Sequence, residues 1–340
     1  MRAVVVARHG DASVLEAREV EDPAPRAGEV VVRVRAVAMN HLDVWVRRGL
    51  PTLTLEMPHI LGADIAGVVE WSDTPGIAAG MECVLAPGVS CGRCRDCLSG
   101  RDQFCRSYGI LGEHRAGGYA EKIRVPAANV QAKPKRLSFV EAAAVPLVFQ
   151  TAWHMLVARA QVREGEWVLV HAAGSGVGSA AVQIAKLFGA TVIATARGAN
   201  KLEAAKKLGA DHVVDYDAQD FLAEVKKLTG KRGVDVVFEH VGKSTWEKSL
   251  LSLTQGGRLV TCGATTGYDV VTDLRYVFYK KLSILGSTMG SKGELFEILR
   301  AVEAGRLNPV VGAVLPLARA REGHALLENR ETFGKVVFEV

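Results

Sequence analysis

Apolar positions change their rhythm twice along the chain. Before residue 138 they come as short β-branched runs: VVVRVRAVAM (30–39), with Arg33 and Arg35 alternating out of it, IAGVVEW (65–71) and ECVLAP (82–87). Turn clusters, EDPAPRAGE (21–29) and DTPGIAAG (73–80), separate them, as in a β-rich unit. Over 138–159 the spacing turns helical. Ser138 with Glu141 three residues later predicts a capped helix start, and Pro146 predicts a break or kink between two helices. From 166 the pattern alternates strictly. Strands are predicted at 167–173, 190–196, 212–216, 234–240, 257–263 and 282–288, separated by helices and followed by one at 291–304. Such alternation predicts βαβ units around a parallel, doubly wound sheet. The tail, with VVGAVLPL, a short helix near 319–328 and KVVFEV, is β-rich again. The reading is therefore α/β: a discontinuous β-rich domain (1–135 and 308–340) with a doubly wound domain (136–307) inserted in it.

The turn after the first strand of the alternating region carries candidate chemistry. AAGSGVG (172–178) places Gly174, Ser175, Gly176, Val177 and Gly178 between a strand and a helix, the context that makes a glycine motif a dinucleotide site. A diphosphate must approach the backbone closely there, and the helix N-terminus offers it unpaired N–H groups. An acidic residue at the end of the second strand would hold the ribose 2′-hydroxyl of NAD. Here the strand ends at Ala196, followed by Arg197 and, four residues later, Lys201. Cations beside a small residue suit a 2′-phosphate, which favours NADP(H) over NAD(H).

Four of the six cysteines, Cys91, Cys94, Cys97 and Cys105, fall within fifteen positions. Two two-residue gaps and one seven-residue gap allow four thiolates to close a tetrahedron around one Zn²⁺ per chain, with no position left for substrate. Interleaved Arg93, Arg95, Arg101 and Arg106 can offset the formal −2 of such a site. Cys83 and Cys262 stand apart and read as small apolar residues.

Composition narrows the picture further. The 340 residues are 49% hydrophobic and 23% charged, with 35 glycines, a globular rather than a disordered composition. The net charge of +5 is dispersed, unlike the concentrated basic face of a nucleic-acid binder. No run approaches the ~20 apolar residues of a membrane span, and the N-terminal apolar run is too short for a signal sequence. The expectation is a soluble, cytoplasmic protein acting on a small molecule, without nucleic-acid or membrane partners.

Taken together, MRAVVV, NHLDVWVRRG (40–49), HILGADIAGVV (59–69), the four-cysteine lobe, GGYAE (117–121), AAGSGVG and KLGADHVVDY make the whole chain resemble the medium-chain dehydrogenase/reductase superfamily, with its zinc-type alcohol dehydrogenases and quinone oxidoreductases. The resemblance implies a GroES-like catalytic domain, a Rossmann domain, an active-site cleft between them, and a homodimer or homotetramer. It also exposes a departure. Alcohol dehydrogenases of this family build a catalytic zinc site from an early Cys, a His-Glu pair after a Gly, and a later Cys. Here those places hold Asn40, Gly62-Ala63-Asp64 and Leu147, and an amide, a methyl and an isobutyl group cannot make that site. Asn40 there resembles the quinone and enone reductases, which work without catalytic metal. The working expectation is thus NAD(P)H-dependent hydride transfer to a quinone, enone or other carbonyl. In it Asn40 donates to the developing oxyanion, His41 or Asp43 relays a proton, Asp64 orients backbone or carries a proton, and Trp45 and Leu147 wall the pocket. One alternative is an NAD(P)-dependent alcohol dehydrogenase with a catalytic metal site rebuilt from His41, Asp43, His59 and Asp64. Another is a nucleotide-binding protein without turnover.

Overall fold

A computed structural model describes residues 1–51 and 53–340. The chain divides into two compact units, Met1–Leu147 with Gly290–Val340, and Val148–Met289. The junctions fall at 147/148 and 289/290, whereas the hydrophobic rhythm placed them at 135/136 and 307/308. Helix Phe139–Ala143 packs on strands Glu29–Ala38 and Asp64–Ser72 of the first unit. Helix Lys292–Glu303 is anchored there too: Lys292 donates to Asp102 (2.8 Å) and Ser90 (2.9 Å). Periodicity reports that a segment is an amphipathic helix but not which sheet its apolar face covers.

The first unit is GroES-like and built on a seven-stranded sheet. Its strand order is Val130–Ala132, Glu82–Leu85, Asp64–Ser72, Glu29–Ala38, Lys335–Glu339 and Val311–Pro316, with Lys122–Pro126 also pairing to Glu29–Ala38. In Glu29–Ala38 the valines are buried, while Arg33 and Arg35 face outward, the alternation expected of a strand with one wet face. Val30, Val32, Val37, Ile65, Leu85, Tyr119 and Phe338 form part of the core. Register decides what meets at one end of the sheet. Ala38 pairs with Asp64 on one side and Val337 on the other, both antiparallel. Two residues further on, the same register brings Asn40 level with Lys335.

The second unit is a Rossmann domain. Its six strands are all parallel, in the order His212–Asp215, Thr191–Ala196, Trp167–Val170, Val234–Glu239, Leu253–Thr261, Ser283–Gly286. In chain order that is 3-2-1-4-5-6, the doubly wound dinucleotide arrangement, whose strand order reverses beside the first strand. Ser138 caps its helix with Glu141 as its sequence indicates. Pro146 opens the next helix, Pro146–Trp153, where its missing N–H leaves no bond unmade. Among the described residues no helix is long and apolar enough to cross a membrane.

Candidate active site and metal lobe

At the sheet end of the first unit three side chains lock together. Lys335 Nζ donates to Asn40 Oδ1 (2.5 Å) and Asp64 Oδ2 (2.8 Å). Asn40 Nδ2 donates to the same Asp64 oxygen at 2.9 Å, and the Leu147 N–H donates to Asp64 Oδ1 at 2.6 Å. Asp64 is 0% and the Lys335 side chain 4% exposed. Lysine is almost never so buried unless paired, and the pair has charge-assisted hydrogen bonds on both sides. Asn40 therefore has its amide oxygen on Lys335 and an amide N–H on Asp64, rather than standing open as a free donor. Sequence reading missed Lys335. Its one signal was a lone charge opening an apolar run, KVVFE, behind Gly334.

Asp43 lies in the helix His41–Arg48 that begins beside this cluster. Its Oδ2 accepts from the Asn40 N–H (2.7 Å) and its Oδ1 from the Gly62 N–H (2.9 Å). Burial pushes its carboxyl up to about 6, against the pull of those two donors and of Lys335. Asp43 thus ties the helix start to the turn before Asp64. His41 and Trp45 lie one helical turn apart on the same helix, half-buried, with ring centroids 6.2 Å apart and planes tilted by 48°. His59 is buried with its Nε2 on the Gly112 carbonyl (3.1 Å), and burial lowers its pKa.

These groups do not make a metal site. Among the described residues, the one group of three or more His, Cys, Asp or Glu side chains with converging ligand atoms is the cysteine lobe. His41, Asp43, His59 and Asp64 form no such set, and an ammonium already sits on Asp64. The residues present do not fit a catalytic zinc.

The cysteine lobe does fit zinc. The Sγ atoms of Cys91, Cys94, Cys97 and Cys105 all lie within 4.8 Å of one another. Cys91–Cys97 and Cys94–Cys97 are 3.9 and 3.5 Å apart. A tetrahedron with Zn–S near 2.3 Å requires about 3.8 Å between sulfurs. Cys94 precedes and Cys97 lies within a short helix, Arg95–Leu98. Arg101 turns to Asp96 at 2.9 Å. Among the interleaved arginines it is therefore partnered by a carboxylate in the lobe.

In the second unit, helix Gly176–Leu187 starts three residues earlier than its apolar rhythm suggests, so Gly176, Val177 and Gly178 form its first turn. Ser175 accepts from the Gly178 N–H at 3.0 Å. A Cβ on Gly178 would stand 2.4 Å from the Ala172 carbonyl oxygen, so only glycine lets helix and strand pack this closely. The loop and helix start fit a dinucleotide diphosphate. Behind the loop lies a buried chain that no motif disclosed. His171 Nδ1 meets Thr195 Oγ1 (3.2 Å), His171 Nε2 meets Ser249 Oγ (2.9 Å), and Ser249 donates to Glu239 (2.8 Å). Burial lowers the His171 pKa. The network joins three strands and a helix beneath the glycine turn. Ala196 is buried at its strand end, while Arg197 pairs with Asp217 at 2.7 Å on the surface. Lys201 lies on the next helix, Ala199–Lys207.

Comparison with known proteins agrees with both units. Residues 26–135 match the alcohol dehydrogenase GroES-like domain, and residues 176–304 the zinc-binding dehydrogenase family. A NAD-dependent alcohol dehydrogenase of Saccharolobus solfataricus is 32% identical over 99% of each chain. An acryloyl-coenzyme A reductase of Metallosphaera sedula is 31% identical, also over 99% of each. A crystal structure of a NAD-dependent alcohol dehydrogenase is 54% identical, with a TM-score of 0.97 over 100% of both chains. Fold, zinc lobe, glycine turn and kinship agree: the chain belongs to the medium-chain dehydrogenase/reductase superfamily, and it is an oxidoreductase with a zinc-binding lobe and a nicotinamide cofactor.

Proposed function

We propose that this protein is an NADP(H)-dependent reductase of conjugated carbonyl compounds, enones or quinones, carrying one structural zinc and no catalytic metal. One observation carries the reading: the residues at the family's catalytic-metal positions are an amide, a methyl, a carboxylate held by an ammonium, and an isobutyl group. The kinship with an acryloyl-coenzyme A reductase supports the substrate class. Bound nicotinamide supplies the hydride. On the protein side, the Asn40–Asp64–Lys335 lock and Asp43 hold the start of helix His41–Arg48. In this reading His41, in its first turn and half-buried, delivers a proton to the reduced substrate, with Trp45 on the same helix. Elemental analysis is expected to give one zinc per chain, with NADPH oxidised in the presence of an enone or quinone panel. Two zinc ions per chain with alcohol oxidation would reject the reading.

The cofactor preference rests on Ala196 and Arg197. A surface ion pair such as Arg197–Asp217 contributes little, so Arg197 is free in energy terms to turn to a 2′-phosphate. Arg197→Ala is expected to lower the NADPH-over-NADH affinity ratio by roughly 10- to 100-fold, the loss of a charge-assisted contact. An unchanged ratio in titrations of both cofactors would remove this assignment.

The oligomer is a homodimer in this reading. Strand Ser283–Gly286 lies at an edge of the six-stranded sheet. Ile284 on it and Phe278 and Tyr279 beside it are exposed, the last two at 60% and 70%. An open edge flanked by aromatic surface suits a second copy of the same chain. Light scattering is expected to give twice the chain mass, and Ile284→Lys with Phe278→Lys to halve it.

A further inference from the structure

The buried lysine of the first unit belongs to neither the glycine turn nor the cysteine lobe, yet it sits at the centre of the candidate site. Lys335 Nζ is held by two oxygens, Asn40 Oδ1 at 2.5 Å and Asp64 Oδ2 at 2.8 Å, and almost no water reaches it. Those oxygens belong to different segments. Asn40 follows strand Glu29–Ala38 and precedes helix His41–Arg48, Asp64 opens strand Asp64–Ser72, and Lys335 opens strand Lys335–Glu339. Through Asp64 the Leu147 backbone N–H, at the start of helix Pro146–Trp153, joins as a fourth. An oxygen-lined cavity holding one positive charge is a cation site, and here the cation is covalently part of the chain.

We propose that Lys335 is a tethered cation that cross-links these four segments, and that it acts as a positioning residue by fixing the orientation of Asn40 and with it the helix start that carries His41. The amide of Asn40 can sit two ways around. With the ammonium on its oxygen, only one of them pairs every donor with an acceptor, because Nδ2 then faces the Asp64 carboxylate. Removing the ammonium leaves Asp64 buried beside an amide free to flip, and the first turn of the helix loses its reference. Small displacements of a reacting group reduce turnover by about 100-fold.

The test is chemical rescue. The full-length Lys335→Ala protein keeps both oxygens but opens a cavity of the size of an alkylammonium ion. Its melting temperature is expected to rise in propylammonium chloride relative to equal sodium chloride, by selective binding to the folded state, with no such difference for wild type. In the same buffers its enone-reductase kcat, lowered roughly 100-fold, is expected to recover in part, with KM and NADPH affinity within about threefold of wild type. Lys335→Arg, which keeps the charge, is expected to retain more turnover than Lys335→Ala. Should Lys335→Ala fail to fold, the charge-neutral pair Asp64→Asn/Lys335→Met takes its place, with kcat reduced and KM and NADPH affinity preserved. A folded Lys335→Ala protein indifferent to propylammonium, or a neutral pair with wild-type kcat, overturns the proposal. The kinetic arm rests on the reductase reading, whereas the melting arm does not. Thermal rescue in a protein whose wild type reduces no enone or quinone would reject that reading and leave the tethered cation standing.

Discussion

Lys335→Met is expected to destabilise the first unit by roughly 3–5 kcal/mol, the cost of breaking a buried ion pair from one side. The reason is geometric. Asp64 is 0% exposed and would keep only the Leu147 and Asn40 donors for its charge. Adding Asp64→Asn to that variant removes the uncompensated charge and is expected to return much of the loss, since a neutral pair of similar volume can match a buried ion pair. Denaturant unfolding of the two variants, read as a double-mutant comparison, checks this. If Lys335→Met unfolds at the wild-type midpoint, the ammonium is not the partner that keeps Asp64 in the interior.

Stripping the cysteine lobe of zinc is expected to have an effect at least as large. Structural Zn²⁺ held by cysteines is bound with apparent free energies of ~10–16 kcal/mol at neutral pH in small zinc-binding peptides. The segment from Cys91 to Cys105 has little else to order it: Cys91 is exposed and the helix Arg95–Leu98 buries none of its residues. Asp102 ties it to the rest of the unit, accepting from Lys292 at 2.8 Å. A strong chelator, or Cys97→Ser, is expected to release the ion, lower the melting temperature and open the lobe to protease between residues 91 and 105. The zinc-free protein keeping its wild-type melting point and protease resistance would show that the four thiols are not a structural site.

Much of the fold was legible in the chain. Strand and helix alternation after residue 166 is a local property, written in β-branched runs, glycine stops and helix caps, so its doubly wound sheet followed. The glycine turn and the cysteine spacing were legible for the same reason: their chemistry is carried by residues close together in sequence.

Other features depended on the tertiary structure. Asn40 and Lys335 are 295 positions apart and meet only because two antiparallel registers share the strand Glu29–Ala38. The His171–Ser249–Glu239 chain forms because three parallel strands end beside one helix. The helix Phe139–Ala143 falls in the first unit because it packs on strands Glu29–Ala38 and Asp64–Ser72, a pairing set by the tertiary structure. The sequence by itself determined the local elements and the kinds of ligand atoms the chain can offer, since each is set by neighbours within a few residues. The tertiary structure decided which distant polar groups are buried together, because burial and pairing depend on strand register across the sheet.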